Sequence, residues 1–334
     1  MNQAIPALTL KDFASDQEVR WCPGCGDYAI LKTIQKLMPE LNRPRENQVF
    51  VSGIGCSSRF PYYMNTFGFH TIHGRAPAVA TGVKLANEEL DVWVITGDGD
   101  GFSIGGNHML HVLRRNVDLQ ILLFNNEIYG LTKGQYSPTS QPGTRSPSSP
   151  EGSIDAPLSP CEVALGAGGT FIARSIDTEA KHLSAVVKAS HAHKGTGFVE
   201  ILQNCPIYND GVFEQVKDKK LAQDFRVEAV HGEQLLFGKE KEKAISLNRD
   251  TLTLEVIESA NNADRILVHN ETNRVLAQLL AAMSGPDFPV AVGVLYSEAK
   301  STFTADTEAH LQQVRRGSGN LKGLLHSGHI WQVK

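Results

Sequence analysis

DVWVITGDGDGFSIGGNHMLHVLRRNVDLQILLFNNEIYG, residues 91–130, decides the fold. Asp91 to Thr96 is a continuous apolar run of the kind that becomes a strand covered on both faces, and Leu119 to Phe124 repeats it. Ile104 to Arg115, between them, has helical spacing. Working outward, Ala76 to Leu90 is alanine-rich and helical in pattern, and Gln48 to Ile54 is short, β-branched and apolar. Asp27 to Leu41 sets Ile30, Leu31, Ile34, Leu37 and Met38 on one helical face ahead of Pro44. Downstream, Glu179 to His191 reads as a helix and Gly197 to Leu202 as a strand. Strand and helix alternating through short glycine-bearing turns predict an α/β fold on a doubly wound parallel sheet.

Gly134 to Pro160 breaks the alternation, being crowded with Ser, Pro and Gly and without periodicity. Loops this long inside a compact domain are usually functional, so the segment is expected over a ligand or against a partner subunit. After Tyr208 the composition turns to Lys, Glu, Gln and Asp, then two strand-like runs, residues 264–270 and 290–297, flank the helix-like run 273–283. The chain is therefore divided into an N-terminal arm (1–20), a main domain (21–215) and a smaller C-terminal region (216–334) that packs on the core or on a neighbouring subunit.

Lys and Arg number 32 against 36 Asp and Glu, a balance that offers no electrostatic footprint for nucleic acid or an anionic membrane. No apolar run approaches the roughly 18 residues needed to span a bilayer. Met1 to Arg20 carries Asp12, Asp16 and Glu18 and does not read as a secretory signal, so the expected location is the cytoplasm. Five cysteines, an odd number, argue there for metal binding or reactive thiols over a disulfide framework.

Cys22 and Cys25 form a C-x-x-C turn in WCPGCGD, Cys56 follows a predicted strand in GIGCSSRF, and Cys205 follows another in ILQNCPIY. Residues just beyond the carboxyl ends of parallel strands gather along one edge of the sheet, where four sulfurs could meet. The spacing is also compatible with a thioredoxin-like dithiol, with a structural tetrathiolate zinc site or with unrelated buried cysteines, and it leaves zinc and iron–sulfur open. Cys161, opening an alanine-rich helix, is expected to be a small buried hydrophobe.

The first strand of the opening stretch runs directly into Gly97, Asp98, Gly99 and Asp100, and the second ends in FNNEIYGLT. A glycine-built turn into a helix lets backbone N–H groups approach a diphosphate. Magnesium takes hard oxygen ligands, and Asp98, Asn126 and the carbonyl of Ile128 supply a carboxylate, a carboxamide and a backbone oxygen. The plain alternative is a solvated Gly-Asp turn followed by an Asn-rich strand end.

Taken in order, CPGCG, GIGCSS, HGRA, GDGD, NNEIYGLTKGQ and NCP resemble the β subunits of 2-oxoacid:ferredoxin oxidoreductases, over roughly Trp21 to Tyr208. The resemblance implies a sheet of the thiamine diphosphate-binding type. It implies a [4Fe–4S] cluster on Cys22, Cys25, Cys56 and Cys205, and the cofactor's Mg2+ on Asp98, Asn126 and Ile128. Gly55, Cys56, Ser57, His73, Gly97, Gly99, Asp100, Gly130, Leu131 and Thr132 would line thiamine diphosphate, with His73 either a donor to it or a structural histidine.

The same resemblance implies CoA-dependent oxidative decarboxylation of a 2-oxoacid, reversible, with electrons passing to ferredoxin. Arg59 and Lys133 stand beside the expected site as candidate substrate-carboxylate binders. A second carboxylate would use Arg59, and CSSRFPYYMNTFGFHTIHGRAPA is similar to the 2-oxoglutarate branch, so 2-oxoglutarate to succinyl-CoA is the expected reaction. Pyruvate or broad-range oxidation, a cluster-free thiamine diphosphate decarboxylase and a zinc-stapled binding module are the alternatives. The glutamate that the aminopyrimidine requires is expected on a separate α subunit, giving an obligate αβ pair and a dimer of such pairs.

Overall fold

The computed structural model describes residues 8–315 and 319–333. Period-2 alternation builds its core: successive residues of the central strands face opposite sides of one sheet. Val49, Val51, Val92, Val94, Ile121 and Leu123 pack with the helices Ala76–Ala86, Gly106–Arg115 and Arg274–Ala281. Phe50, Trp93, Ile95, Leu122 and Phe124 pack on the other face with Asp27–Leu37 and Ala180–Ala192.

In chain order the strands are β1 (Gln48–Ser52), β2 (Phe67–His70), β3 (Asp91–Gly97) and β4 (Leu119–Asn125), then a two-residue ribbon of β5 (Ile128–Tyr129) and β6 (Gln135–Tyr136). β7 (Phe171–Ile176), β8 (Thr196–Leu202) and β9 (Arg226–Ala229) follow. A small antiparallel sheet of β10 (Leu236–Phe237), β11 (Lys243–Asn248) and β12 (Thr253–Glu258) precedes β13 (Val290–Ser297). The main sheet has the order β2-β1-β3-β4-β8-β7-β13-β9. Its pairings are parallel except for β13 against β7, so the doubly wound parallel sheet carries one antiparallel junction.

The chain leaves β1 toward β2 on one side, whereas it leaves β3 toward β4 on the other. The loops after β1 and β3 therefore diverge, which opens a crevice at their carboxyl ends.

Several elements differ from the sequence reading. The helix expected from Ile104 starts at Gly106, because Asp98–Phe102 forms a short helix of its own directly after β3. Residues 264–270 contribute only isolated bridges through Ile266 and Val268. β2 and β7 had not been expected; β2 is an exposed edge strand, and β7 is wholly buried with Arg174 at its centre. β9 and β13, from beyond residue 216, complete the main sheet. No helix among the described residues is long and apolar enough to cross a membrane.

Candidate active site

The carboxyl ends of β1, β3 and β4 bring the predicted glycine turns to one cavity, open to solvent. Its walls include every residue expected to line a diphosphate cofactor: Gly55, Cys56, Ser57, His73, Gly97, Asp98, Gly99, Asp100, Asn126, Ile128, Gly130, Leu131 and Thr132. Ile54, Phe124 and Tyr129 complete it, and sequence reasoning had missed them. Tyr129 packs so closely that a Cβ on Gly99 would stand 2.2 Å from its ring, and its hydroxyl donates to Gly99 O at 3.0 Å. A larger hollow near Asn125, lined also by Glu127, Arg174 and Glu200, contains none of the predicted residues, and its Arg174 and Glu200 pair with each other at 2.7 Å.

The two aspartates of GDGD do different work. Asp100 is buried, and its Oδ1 accepts the backbone N–H of Ile54 (3.0 Å) and of Gly74 (2.7 Å), while Oδ2 accepts Thr96 Oγ1–H (2.7 Å). One carboxylate thus pins the loop after β1 and the HGRA loop to the end of β3. His73 Nδ1 lies 3.0 Å from the same oxygen, though outside hydrogen-bonding geometry. Gly53 makes the arrangement possible, since a Cβ there would fall 1.9 Å from Asp100 Oδ2. Asp100 belongs to the scaffold of the cavity as well as to its wall.

Asp98 is equally buried and, among the described residues, has no cation beside it; Thr139 Oγ1–H donates to its Oδ2 at 2.7 Å. Burial pushes its carboxyl above the ordinary range, a cost that a bound cation would relieve. Thr139 Oγ1 also lies 3.0 Å from Asn125 Oδ1, the alternative acceptor for its one proton, so the start of the Ser/Pro-rich segment lies under the β4 turn. Asn126 Oδ1 accepts the N–H of Ile128 at 3.2 Å, which leaves a lone pair on that oxygen. A hard divalent cation fits this donor set of carboxylate, carboxamide and carbonyl.

Beside the cavity the cysteines converge from three stretches of chain. Cys25 N–H donates to Cys22 O at 3.0 Å, closing the C-x-x-C turn, and Gly26 N–H donates to Asn204 O at 3.2 Å, tying that turn to the end of β8. Trp21 Nε1–H holds Cys56 O at 2.7 Å. Gly130 is the cradle: a Cβ there would sit 3.5 Å from both Cys56 Sγ and Cys205 Sγ.

Burial pushes the Cys25 thiol far up, with Asp27, Cys56 and Cys205 adding to it. The Cys56 thiol rises to about 12 by burial and then through Asp27, Cys205 and Cys22, against the lowering effect of Arg59. Thiols in such mutual repulsion become thiolates only around positive charge, which a metal centre supplies. Among the described residues no three His, Cys, Asp or Glu side chains close around a single ion. The four cysteines brought beside the cavity are nevertheless a donor set that suits a group held by four thiolates. Cys161 stands apart, fully buried, its thiol donating to Glu200 Oε2 at 3.1 Å.

Arg59 and Lys133 lie outside the cavity wall. Arg59 Nη1–H donates to Arg20 O at 3.3 Å, and Lys133 is exposed with φ 75° in the turn after Gly130. Sequence reasoning also missed Thr139 and Gln203, whose partners come from distant stretches. For Thr139 a signal existed in the length and composition of its loop.

Residues 53–201 match the family described as thiamine pyrophosphate enzyme, C-terminal TPP binding domain. The chain is 49% identical over 331 residues to the 2-oxoglutarate oxidoreductase subunit KorB of Mycobacterium tuberculosis, covering 97% of this chain and 88% of that one. It is 47% identical over 190 residues to 2-oxoacid:ferredoxin oxidoreductase 1, subunit beta, of Aeropyrum pernix, covering 57% of this chain and 60% of that one. Its fold is similar to a solved chain of the 2-oxoglutarate:ferredoxin oxidoreductase from Magnetococcus marinus, whose structure has 2-oxoglutarate, coenzyme A and succinyl-CoA bound. The TM-score is 0.77, with 31% identity and 96% of each chain covered. With a thiamine-type crevice and a four-cysteine edge on one sheet, the chain belongs to the β subunits of the 2-oxoacid:ferredoxin oxidoreductases.

Proposed function

We propose that this chain, joined to a partner subunit, oxidises 2-oxoglutarate with coenzyme A to succinyl-CoA and CO2 and passes the electrons to ferredoxin. The observation that carries the reading is the shared wall: Cys56 lines the cavity and also lies, with Cys205, against Gly130. Bound thiamine diphosphate supplies the electron sink for decarboxylation, and a [4Fe–4S] cluster takes up electrons one at a time.

The chain's own residues do the rest. The glycine turn at Gly97 and Gly99 would let the backbone approach the diphosphate. Asp98, Asn126 and the Ile128 carbonyl hold Mg2+, and Cys22, Cys25, Cys56 and Cys205 hold the cluster. Asp100 keeps Gly55, Ser57 and His73 in place by fixing the two loops that carry them. Leu131 and Thr132 line the cavity, and Lys133, just beyond, and Arg59, just past Cys56, take the substrate carboxylates. The main domain (21–215) carries both cofactors, while the arm (1–20) and the C-terminal region (216–334) support it. The α subunit brings the pyrimidine-binding domain, two αβ pairs assemble, and ferredoxin is met in the cytoplasm.

The test is anaerobic purification of the chain with and without its co-expressed partner subunit. The complex should be brown, bleach with dithionite, contain thiamine diphosphate and reduce ferredoxin with 2-oxoglutarate only when CoA is present; the chain alone should not turn over. Arg59→Ala should raise KM for 2-oxoglutarate about tenfold or more, equivalent to losing one charge-assisted contact, and leave pyruvate untouched. Equal effects on the two substrates would remove Arg59 from the second carboxylate, and colourless protein holding zinc would remove the oxidoreductase reading.

A further inference from the structure

Gln203 stands one residue past β8 and is 1% exposed. Its backbone N–H donates to Asn125 O at 2.8 Å, continuing the rungs between β4 and β8, so its side chain starts from a fixed point. The orientation of that side chain follows from a donor that cannot be reversed. The N–H of Ile128 donates to Asn126 Oδ1, so Asn126 presents Nδ2 to its other neighbour. That neighbour is Gln203 Oε1, at 2.7 Å. Gln203 Nε2 must then face the opposite way with two hydrogens, and it meets Asn204 O at 2.6 Å and Cys25 Sγ at 3.3 Å. The C-x-x-C turn makes room for the contact: a Cβ on Gly26 would fall 2.8 Å from Gln203 Cγ.

We propose that Gln203 is a positioning residue that joins the magnesium turn to the iron–sulfur cluster, holding Asn126 through its carbonyl and donating an N–H to the Cys25 thiolate, which raises the reduction potential of the cluster. The inference rests on the reading above of Asn126 as a magnesium ligand and Cys25 as a cluster ligand. A reduced cluster carries one more negative charge than an oxidised one, so an N–H aimed at its sulfur stabilises the reduced form more. Because the amide is buried, no water replaces the donor when it is removed. The same amide also fixes where Asn126 points, as partners of metal ligands do generally.

The experiment is an anaerobic redox titration of the assembled αβ enzyme, followed by the electron paramagnetic resonance of the reduced cluster, with iron, sulfide and thiamine diphosphate affinity measured in parallel. Gln203→Glu keeps an acceptor for Asn126 but removes the donor to Cys25, whereas Gln203→Met removes both. With iron content full, both variants should titrate lower than wild type, by about tenfold in the one-electron equilibrium, or about 59 mV. Thiamine diphosphate affinity should fall in Gln203→Met and hold in Gln203→Glu. A full cluster whose potential is unmoved in the neutral variant Gln203→Met overturns the proposal, and so does loss of iron from both variants, since Gln203 would then serve cluster retention alone. Wild-type complex without iron would instead sink the cluster reading underneath.

Discussion

Asp98 and Asp100 are two residues apart on one short helix, buried to the same degree, and differ only in what surrounds their oxygens. Asp100 meets three protein donors from three elements, so its oxygens are satisfied within the fold. Asp98 has hydroxyl help but no cation, and burial holds its carboxyl up. Asp98→Asn should therefore leave the melting temperature unchanged or raised while magnesium-dependent thiamine diphosphate affinity falls more than tenfold by calorimetry. Asp100→Asn should cost about 3 kcal/mol in urea unfolding, since hydrogen bonds to a buried charge are lost. Equal destabilisation by the two would show that the assignment of roles is wrong. The sequence could not separate them: GDGD shows two aspartates after a strand, while the N–H groups that claim Asp100 come from Ile54 and Gly74. Gln203 was less legible still, two of its three side-chain partners lying 77 and 178 positions away. The cysteines were legible because each follows a strand end or sits in a recognisable turn.

At the scale of elements, β3 and β4 could be read directly because VWVI and ILLF are unbroken apolar runs, β8 was read despite its Glu200, and β7 was missed with Arg174 interrupting FIARSI. The structure removes the contradiction by placing Arg174 Nε–H 2.7 Å from Glu200 Oε2 on β8, both side chains buried. Glu200 also accepts Asn125 Nδ2–H at 2.8 Å, so the pair supports the strand end that leads into the NNEIYG turn. Removing one partner of a buried ion pair leaves an uncompensated charge, and Arg174→Met should cost about 3–5 kcal/mol of unfolding free energy. Arg174→Met with Glu200→Gln should recover most of it, because glutamine still accepts from Asn125 without a charge. A double variant as unstable as the single one would mean that Arg174 acts through its packing. β2 escaped detection for a different reason: its Phe67 and Phe69 are 64% and 48% exposed, so FGFH is an edge strand without the core pattern that reveals one.

For the whole molecule, stability against pH is set by groups that pull in opposite directions. Burial lowers the pKa of His182, His193 and His269 below the ordinary histidine range of about 6.5. The unfolded chain then takes up protons that the folded chain refuses, so these histidines favour folding above that pH and their contribution is lost as pH falls. Burial raises Glu127 to about 8, with Asp98 and Glu200 adding to the shift and Gln141 opposing it. Its contribution is full below the unfolded glutamate range of about 4.3 and disappears as pH rises through 8. Between the two ranges the effects run in opposite directions, and single replacements should separate them. Relative to wild type in chelating buffer, Glu127→Gln should gain stability steadily from pH 5 to pH 8, by at most about 1.4 kcal/mol per pH unit. His269→Gln should gain relative stability in the other direction, as pH drops below about 6.5. Urea unfolding of the three proteins across pH 5 to 8 checks both slopes. Parallel curves would mean that neither buried group changes its protonation on unfolding, and a Glu127→Gln curve that loses ground to wild type as pH rises would mean that the fold favours the charged carboxylate.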